Sequence, residues 1–121
     1  HDEHWPVDFM HAQAREVLPR LFERLRVGAD GTKPWLCGHS DGGSIALIHA
    51  ADFPAAVAGV VAIAPHVFVE DLSIRSIAAA REAYRSKGSR WILQQYDGCP
   101  ASAFWDVMYI WLDPRLQPVT I

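Results

Sequence analysis

Cysteine is scarce in this chain: Cys37 and Cys99 are the only two in 121 residues. Two thiols make no disulfide framework, so a reduced, cytoplasmic protein is expected. Positive charge is not in excess either. There are 11 Lys and Arg against 14 Asp and Glu, for a net charge of −3. That removes the electrostatic basis for docking on nucleic acid or on an anionic membrane. No apolar run is long enough to span a bilayer. No signal peptide is visible, although the chain opens on His1 and a removed leader stays open. His1, Asp2, Glu3 and His4 cluster at the start, but their spacing fits no strong zinc pattern and reads as a polar loop. No metal and no other cofactor is expected. Repeats and low-complexity stretches are lacking too. What remains is a globular composition, 50% apolar and 21% charged, at a length that suits one core.

The chain is organised around residues 34–50. A short apolar run, Pro34-Trp35-Leu36-Cys37, leads into Gly38-His39-Ser40-Asp41-Gly42, and an Ala-rich segment of helical length comes next. This is strand, sharp turn and helix with a serine at the corner, in G-x-S-x-G spacing. Strand and helix must pass close together there. Side chains two before and two after the serine are expected to collide, and glycine also accepts unusual backbone angles. The competing interpretation is an ordinary glycine-rich turn before a helix.

Upstream, residues 7–25 read as a helix. Phe9, Met10, Ala14, Val17, Leu18, Leu21, Phe22 and Leu25 recur at threes and fours. Asp8 is placed to cap its start, Pro19 to kink it and Gly28 to stop it. Residues 34–37 have the character of a strand buried on both faces, which also buries Cys37. Asp52-Phe53-Pro54 ends the helix after the turn, and residues 57–64 form a second buried strand. Strand, helix, strand at this spacing is a right-handed parallel βαβ unit. Beyond Pro65 the character turns helical, with helices expected over 73–86, 90–96 and 102–112. Trp91, Trp105 and Trp111 fit either an apolar acyl pocket or a helical layer packing on itself. Trp5 and Trp35 are expected in the core or at its rim.

Gly38-His39-Ser40-Asp41-Gly42-Gly43-Ser44 resembles the nucleophile elbow of the α/β-hydrolase family, and most closely its esterase-like, cap-bearing members. Ala64-Pro65-His66 is similar to the end of the strand that comes after the elbow. The resemblance implies an α/β fold: residues 1–66 as a partial hydrolase core with a parallel sheet, and residues 67–121 as a helical, cap-like segment. It also implies Ser40 as nucleophile, the backbone N–H of Asp41 as oxyanion donor, and Gly38, His39 and Gly42 as the frame of the elbow.

The family's sheet has many more strands than the two visible here, and its order along the chain is serine, acid, histidine. Between Ser40 and the last histidine, His66, the only acids are Asp41 and Asp52. Asp52 lies about 18 Å down the helix, at 1.5 Å per residue. The usual triad is therefore not completed within these residues, and the chain has the look of the middle of a hydrolase. His49 is too far along the helix to reach the serine and is expected to be packed or on the surface. Geometry offers a substitute base. Neighbouring parallel strands end on the same side, so His66 emerges near Ser40, with Glu70 or Asp71 a few residues on to orient it. His66 as a residue lining the pocket is the alternative.

Two functions remain. One is a serine esterase acting on a small carboxylic ester. The other is a non-catalytic, truncated hydrolase-derived domain that folds and associates without turnover. Two parallel strands with open edges also need cover, from a homo-oligomer or from a complementing chain.

Overall fold

The protein is described by a computed structural model that covers residues 5–85 and 108–115. Its contacts divide it into two units, Asp8–Val67 and a second drawn from the residues before Asp8 and after Val67.

The first unit begins with one helical stretch of three parts: α1 (Phe9–Ala12), a π-helical turn (Gln13–Val17) and α2 (Leu18–Leu25). Pro19 explains the middle part. Proline offers no N–H and its ring crowds the carbonyl four residues back. The helix widens into a π turn just upstream and continues, where a kink was expected. Asp8 occupies the N-cap position, but its side chain makes no capping bond. The stop comes earlier than Gly28. Arg26 takes the left-handed conformation at φ 57°. Its N–H bonds to the Glu23 carbonyl at 3.1 Å, and the Val27 N–H bonds to the Phe22 carbonyl at 2.9 Å. This paired closure satisfies the last carbonyls. Gly28, at φ 77°, serves the turn beyond it.

Next come β1 (Trp35–His39), α3 (Asp41–Asp52) and β2 (Gly59–Ile63). The strands pair in parallel, from Trp35 opposite Gly59 to His39 opposite Ile63. The expected βαβ unit is present, with both strands shifted by one or two residues from the expected limits. Leu36 faces a core of Ala46 and Val57, against which Leu18, Phe22, Ala50 and Val60 pack.

Among the described residues of this unit, no helix packs on the other sheet face. Side chains alternate along a strand, so Trp35, Cys37, His39, Val61 and Ile63 share that face, and all five are exposed. This corrects the expectation of a strand buried on both sides and of a buried Cys37, which is exposed and unpaired. It also corrects the placing of Trp35 in the core or at its rim: 68% of it is exposed, with its ring laid over Gly59. The physical reason is that α2 and α3 both pack on the Leu36 side. The apolar stripe of the helical stretch that ends in α2 is likewise only half used, since Val17, Leu21 and Leu25 stay exposed.

In the second unit, α4 runs Asp71–Arg85, and a helical turn spans 108–111. Met108, Ile110 and Trp111 are buried, whereas Trp5 is exposed. Asp113 closes that turn and pairs with Arg115 at 2.6 Å, and the hydrogen bond from Arg115 holds its carboxyl at about 2. The helix expected over 90–96, most of that over 102–112, and Cys99, Trp91 and Trp105 lie outside the described residues.

Candidate active site

The elbow forms where β1 meets α3. A Cβ on Gly38 would sit 2.2 Å from the Gly42 carbonyl oxygen and 2.6 Å from the Gly43 nitrogen. Only a residue without a side chain lets the strand end approach the helix start this closely. Gly42 differs: a Cβ there meets nothing within 4 Å. The expected collision two residues after the serine does not occur. The crowded position is Gly43, whose added Cβ would lie 3.1 Å from the Gly38 carbonyl oxygen and 3.3 Å from Pro65 Cβ. Nor do Gly38 and Gly42 carry the unusual backbone angles. Those fall on Ser40, at φ 55° and ψ −125°.

Ser40 stands at the N-cap of α3, a position serine favours because its hydroxyl can accept from the first helical N–H groups. Here the hydroxyl makes no capping bond. The Ser40 backbone carbonyl accepts from Gly43 N–H at 2.9 Å and Ser44 N–H at 3.2 Å, while its own N–H donates to the Ile63 carbonyl at 2.9 Å. The hydroxyl takes no part in these bonds, and Oγ lies 3.1 Å from Nε2 of His66.

His66 reaches that place through a second sharp turn. β2 ends at Ile63, and Ala64 takes φ 46°. Ser44, fully buried in α3, bonds the His66 backbone twice: Oγ accepts from its N–H and donates to its carbonyl, each at 2.8 Å. Reasoning from the sequence misses both Ser44 and Ala64. The available signal for Ser44 is its spacing, four residues after Ser40 and so on the same helix face.

Each of the other candidates has its own setting. His39 ends β1 on the exposed sheet face. Asp41 opens α3, where the helix dipole ends positive. Glu70 and Asp71 belong to the second unit; Asp71 heads α4, and the Glu70 carbonyl accepts from Ile74 N–H at 3.1 Å. Asp52 is engaged elsewhere. Arg15 Nε donates to its Oδ2 at 2.6 Å, and that hydrogen bond holds its carboxyl below the ordinary value. His49 is buried, with Nδ1 2.8 Å from the Ala14 carbonyl. In a π turn the donor to that carbonyl would come from Pro19, which has no N–H. His49 supplies it.

Among the described residues, no group of three or more His, Cys, Asp or Glu is placed to hold a metal ion. No helix there is long and apolar enough to cross a membrane.

A strained serine at a strand-to-helix corner, in contact with an imidazole, is an arrangement that can transfer an acyl group. Comparison with known families bears on the same point: residues 1–118 match the Esterase family model, described as "Putative esterase". No curated protein matches the chain. Elbow, parallel βαβ unit and family match agree, and the chain belongs to this esterase family, within the α/β-hydrolase superfamily.

Proposed function

We propose that the protein hydrolyses small carboxylic esters with Ser40 as nucleophile. The observation that carries this reading is the 3.1 Å contact between Ser40 Oγ and His66 Nε2, made by a serine whose hydroxyl is withheld from helix capping. In the proposed reaction Ser40 Oγ attacks the ester carbonyl while its proton passes to His66 Nε2. The carbonyl oxygen, now an anion, is held by the backbone N–H of Asp41 at the positive end of α3. Collapse of this intermediate breaks the bond to the alcohol, which leaves with the proton from His66. Water then gives a proton to His66 and attacks the acyl-serine, and the carboxylic acid departs as Ser40 regains its hydrogen.

Glu70 or Asp71 orients the imidazole in this scheme, supported by their place four and five residues after it. Residues 1–66 act as the core and 67–121, with α4 at their head, as the lid. A reducing, cytoplasmic setting is consistent with the exposed, unpaired Cys37.

The open sheet face and the two strand edges without a described neighbour support cover by a second copy or a complementing chain. Light scattering on the purified chain tests this. A monomer at all concentrations removes the second copy from the proposal.

The test of the chemistry uses a short-chain aryl ester and a fluorophosphonate on the wild type, Ser40→Ala and His66→Ala. Ser40→Ala abolishes labelling and turnover, and His66→Ala lowers both by about 10²- to 10⁴-fold. Activity surviving in Ser40→Ala rejects the nucleophile. A wild type that neither labels nor turns over favours the non-catalytic domain.

A further inference from the structure

We infer that Ser44 is a positioning residue that holds His66 in reach of Ser40, an inference that rests on the reading of His66 as proton acceptor. A hydroxyl has one hydrogen to give and two lone pairs to offer. A helical serine commonly gives that hydrogen to the carbonyl four residues back. In α3 that carbonyl belongs to Ser40 and already accepts from Gly43 and Ser44 N–H groups. The Ser44 hydroxyl instead turns outward from its helix and spends both capacities on one residue, His66. It lies at zero exposure, so water does not compete for these bonds.

Two bonds to the N–H and carbonyl of the same residue fix that residue's peptide groups at two points. The imbalance in helix propensity makes the same argument from another side. Alanine fits a buried helical site at lower cost than serine, so α3 gains nothing by itself from a hydroxyl at position 44. The gain lies in the loop. Residues 40 and 44 stand one above the other on the helix, separated by a rise of about 6 Å. His66 is attached to α3 at both levels, by its backbone at Ser44 and by its ring at Ser40. A single rigid helix therefore sets the distance between nucleophile and imidazole. The turn that precedes His66 is strained at Ala64, and without the clamp that strain is free to relax by moving the imidazole.

The experiment compares Ser44→Ala and Ser44→Cys, each alone and combined with His66→Ala. Circular dichroism checks folding. The readouts are kcat and KM for the aryl ester and the fluorophosphonate labelling rate. Loosening the imidazole by about 1 Å is worth roughly 10²-fold, so Ser44→Ala lowers kcat and labelling by about 10- to 100-fold with KM within about threefold of wild type. The thiol of Ser44→Cys, a weak donor and acceptor, restores part of the rate. Adding Ser44→Ala to His66→Ala changes the rate by less than about twofold, because the clamp acts only through the imidazole.

The inference is overturned by a folded Ser44→Ala enzyme with wild-type kcat, or by an equal further loss in the His66→Ala background. Where Ser44→Ala does not fold, a wild-type rate in Ser44→Cys overturns it. If His66→Ala loses activity and the Ser44 variants do not, only the clamp fails. If His66→Ala keeps the wild-type labelling rate, the proton-acceptor reading fails first and takes the clamp with it.

Discussion

The two glycines of the G-x-S-x-G spacing respond oppositely to the same substitution. Alanine at position 38 places a methyl 2.2 Å from the Gly42 oxygen, 2.3 Å from its carbonyl carbon and 2.6 Å from the Gly43 nitrogen. All three are backbone atoms, so none can rotate aside. A real Cβ essentially never comes within 3.0 Å of such an atom. The end of β1 and the first turn of α3 must therefore part by at least about 0.8 Å, an overpacking cost at the upper end of the usual range, about 3 kcal/mol. A domain of this size then melts roughly 10 °C lower. The same displacement moves Ser40 against His66, and labelling by a fluorophosphonate falls by about 10²-fold in the folded fraction. Alanine at position 42 meets open space, at ordinary negative φ, as the second residue of α3. Better helix propensity favours it by up to about 1 kcal/mol. Thermal melts monitored by circular dichroism, with labelling rates on the same samples, separate the two. The reasoning is refuted if Gly38→Ala melts with the wild type, or if Gly42→Ala melts as low as Gly38→Ala.

His49→Leu leaves the buried Ala14 carbonyl without its donor and should cost about 1–3 kcal/mol. Labelling of the folded fraction should not change, since residue 49 lies about 13 Å along α3 from the serine; a melt unchanged from wild type contradicts the account. The hydrogen bond from Arg15 holds Asp52 below its ordinary 3.8. A folded-state value lowered in this way stabilises above pH 3.8, and the contribution is lost as the pH falls through the lower folded value. Arg15→Gln should move the NMR titration of Asp52 up toward 3.8, and an unmoved midpoint rejects the pairing. Cys37 should react with a maleimide under native conditions at the rate of an exposed thiol; protection until unfolding shows that the open sheet face is covered in solution.

The βαβ unit and its elbow are legible in the sequence because their signals are local. Apolar runs of strand length, glycines at fixed offsets from Ser40 and the helix stop at Asp52-Phe53-Pro54 each act within a few residues. The nearness of His66 to Ser40 is legible too, since adjacent parallel strands ending together deliver their next residues to the same edge. What escapes depends on partners distant in sequence. The burial of β1 is not set by its composition: an apolar run reads the same whether one face or both are covered, and only the packing of α2 and α3 on the Leu36 side exposes Cys37. The tie between His49 and Ala14 spans 35 residues and arises because Pro19 leaves a carbonyl without a donor. The motif lends Gly42 a steric role that belongs to Gly43, because a one-dimensional spacing does not say which Cα–Cβ direction faces the strand.

Backbone strain at the site falls at a single level of the sheet. The last pair of the sheet is His39 with Ile63. In both strands the very next residue, Ser40 in one and Ala64 in the other, takes positive φ without being glycine. The two chains thus turn off the sheet at the same level, and the turns bring hydroxyl and imidazole together. The conformation costs Ala64 about 1–2 kcal/mol, and the proline after it disfavours it further. Ala64 is exposed, so Ala64→Gly loses no buried surface. It relieves the strain at an entropic cost of about 0.5–1 kcal/mol. The balance is a melting temperature equal to or a few degrees above wild type. A glycine also frees the turn that carries His66, so the labelling rate should fall several-fold while stability does not, the trade-off expected where strain serves positioning. An Ala64→Gly protein that melts well below the wild type refutes the strain. One that is more stable and labels at the full rate shows that the strain is present but that the two Ser44 hydrogen bonds alone suffice to hold the histidine.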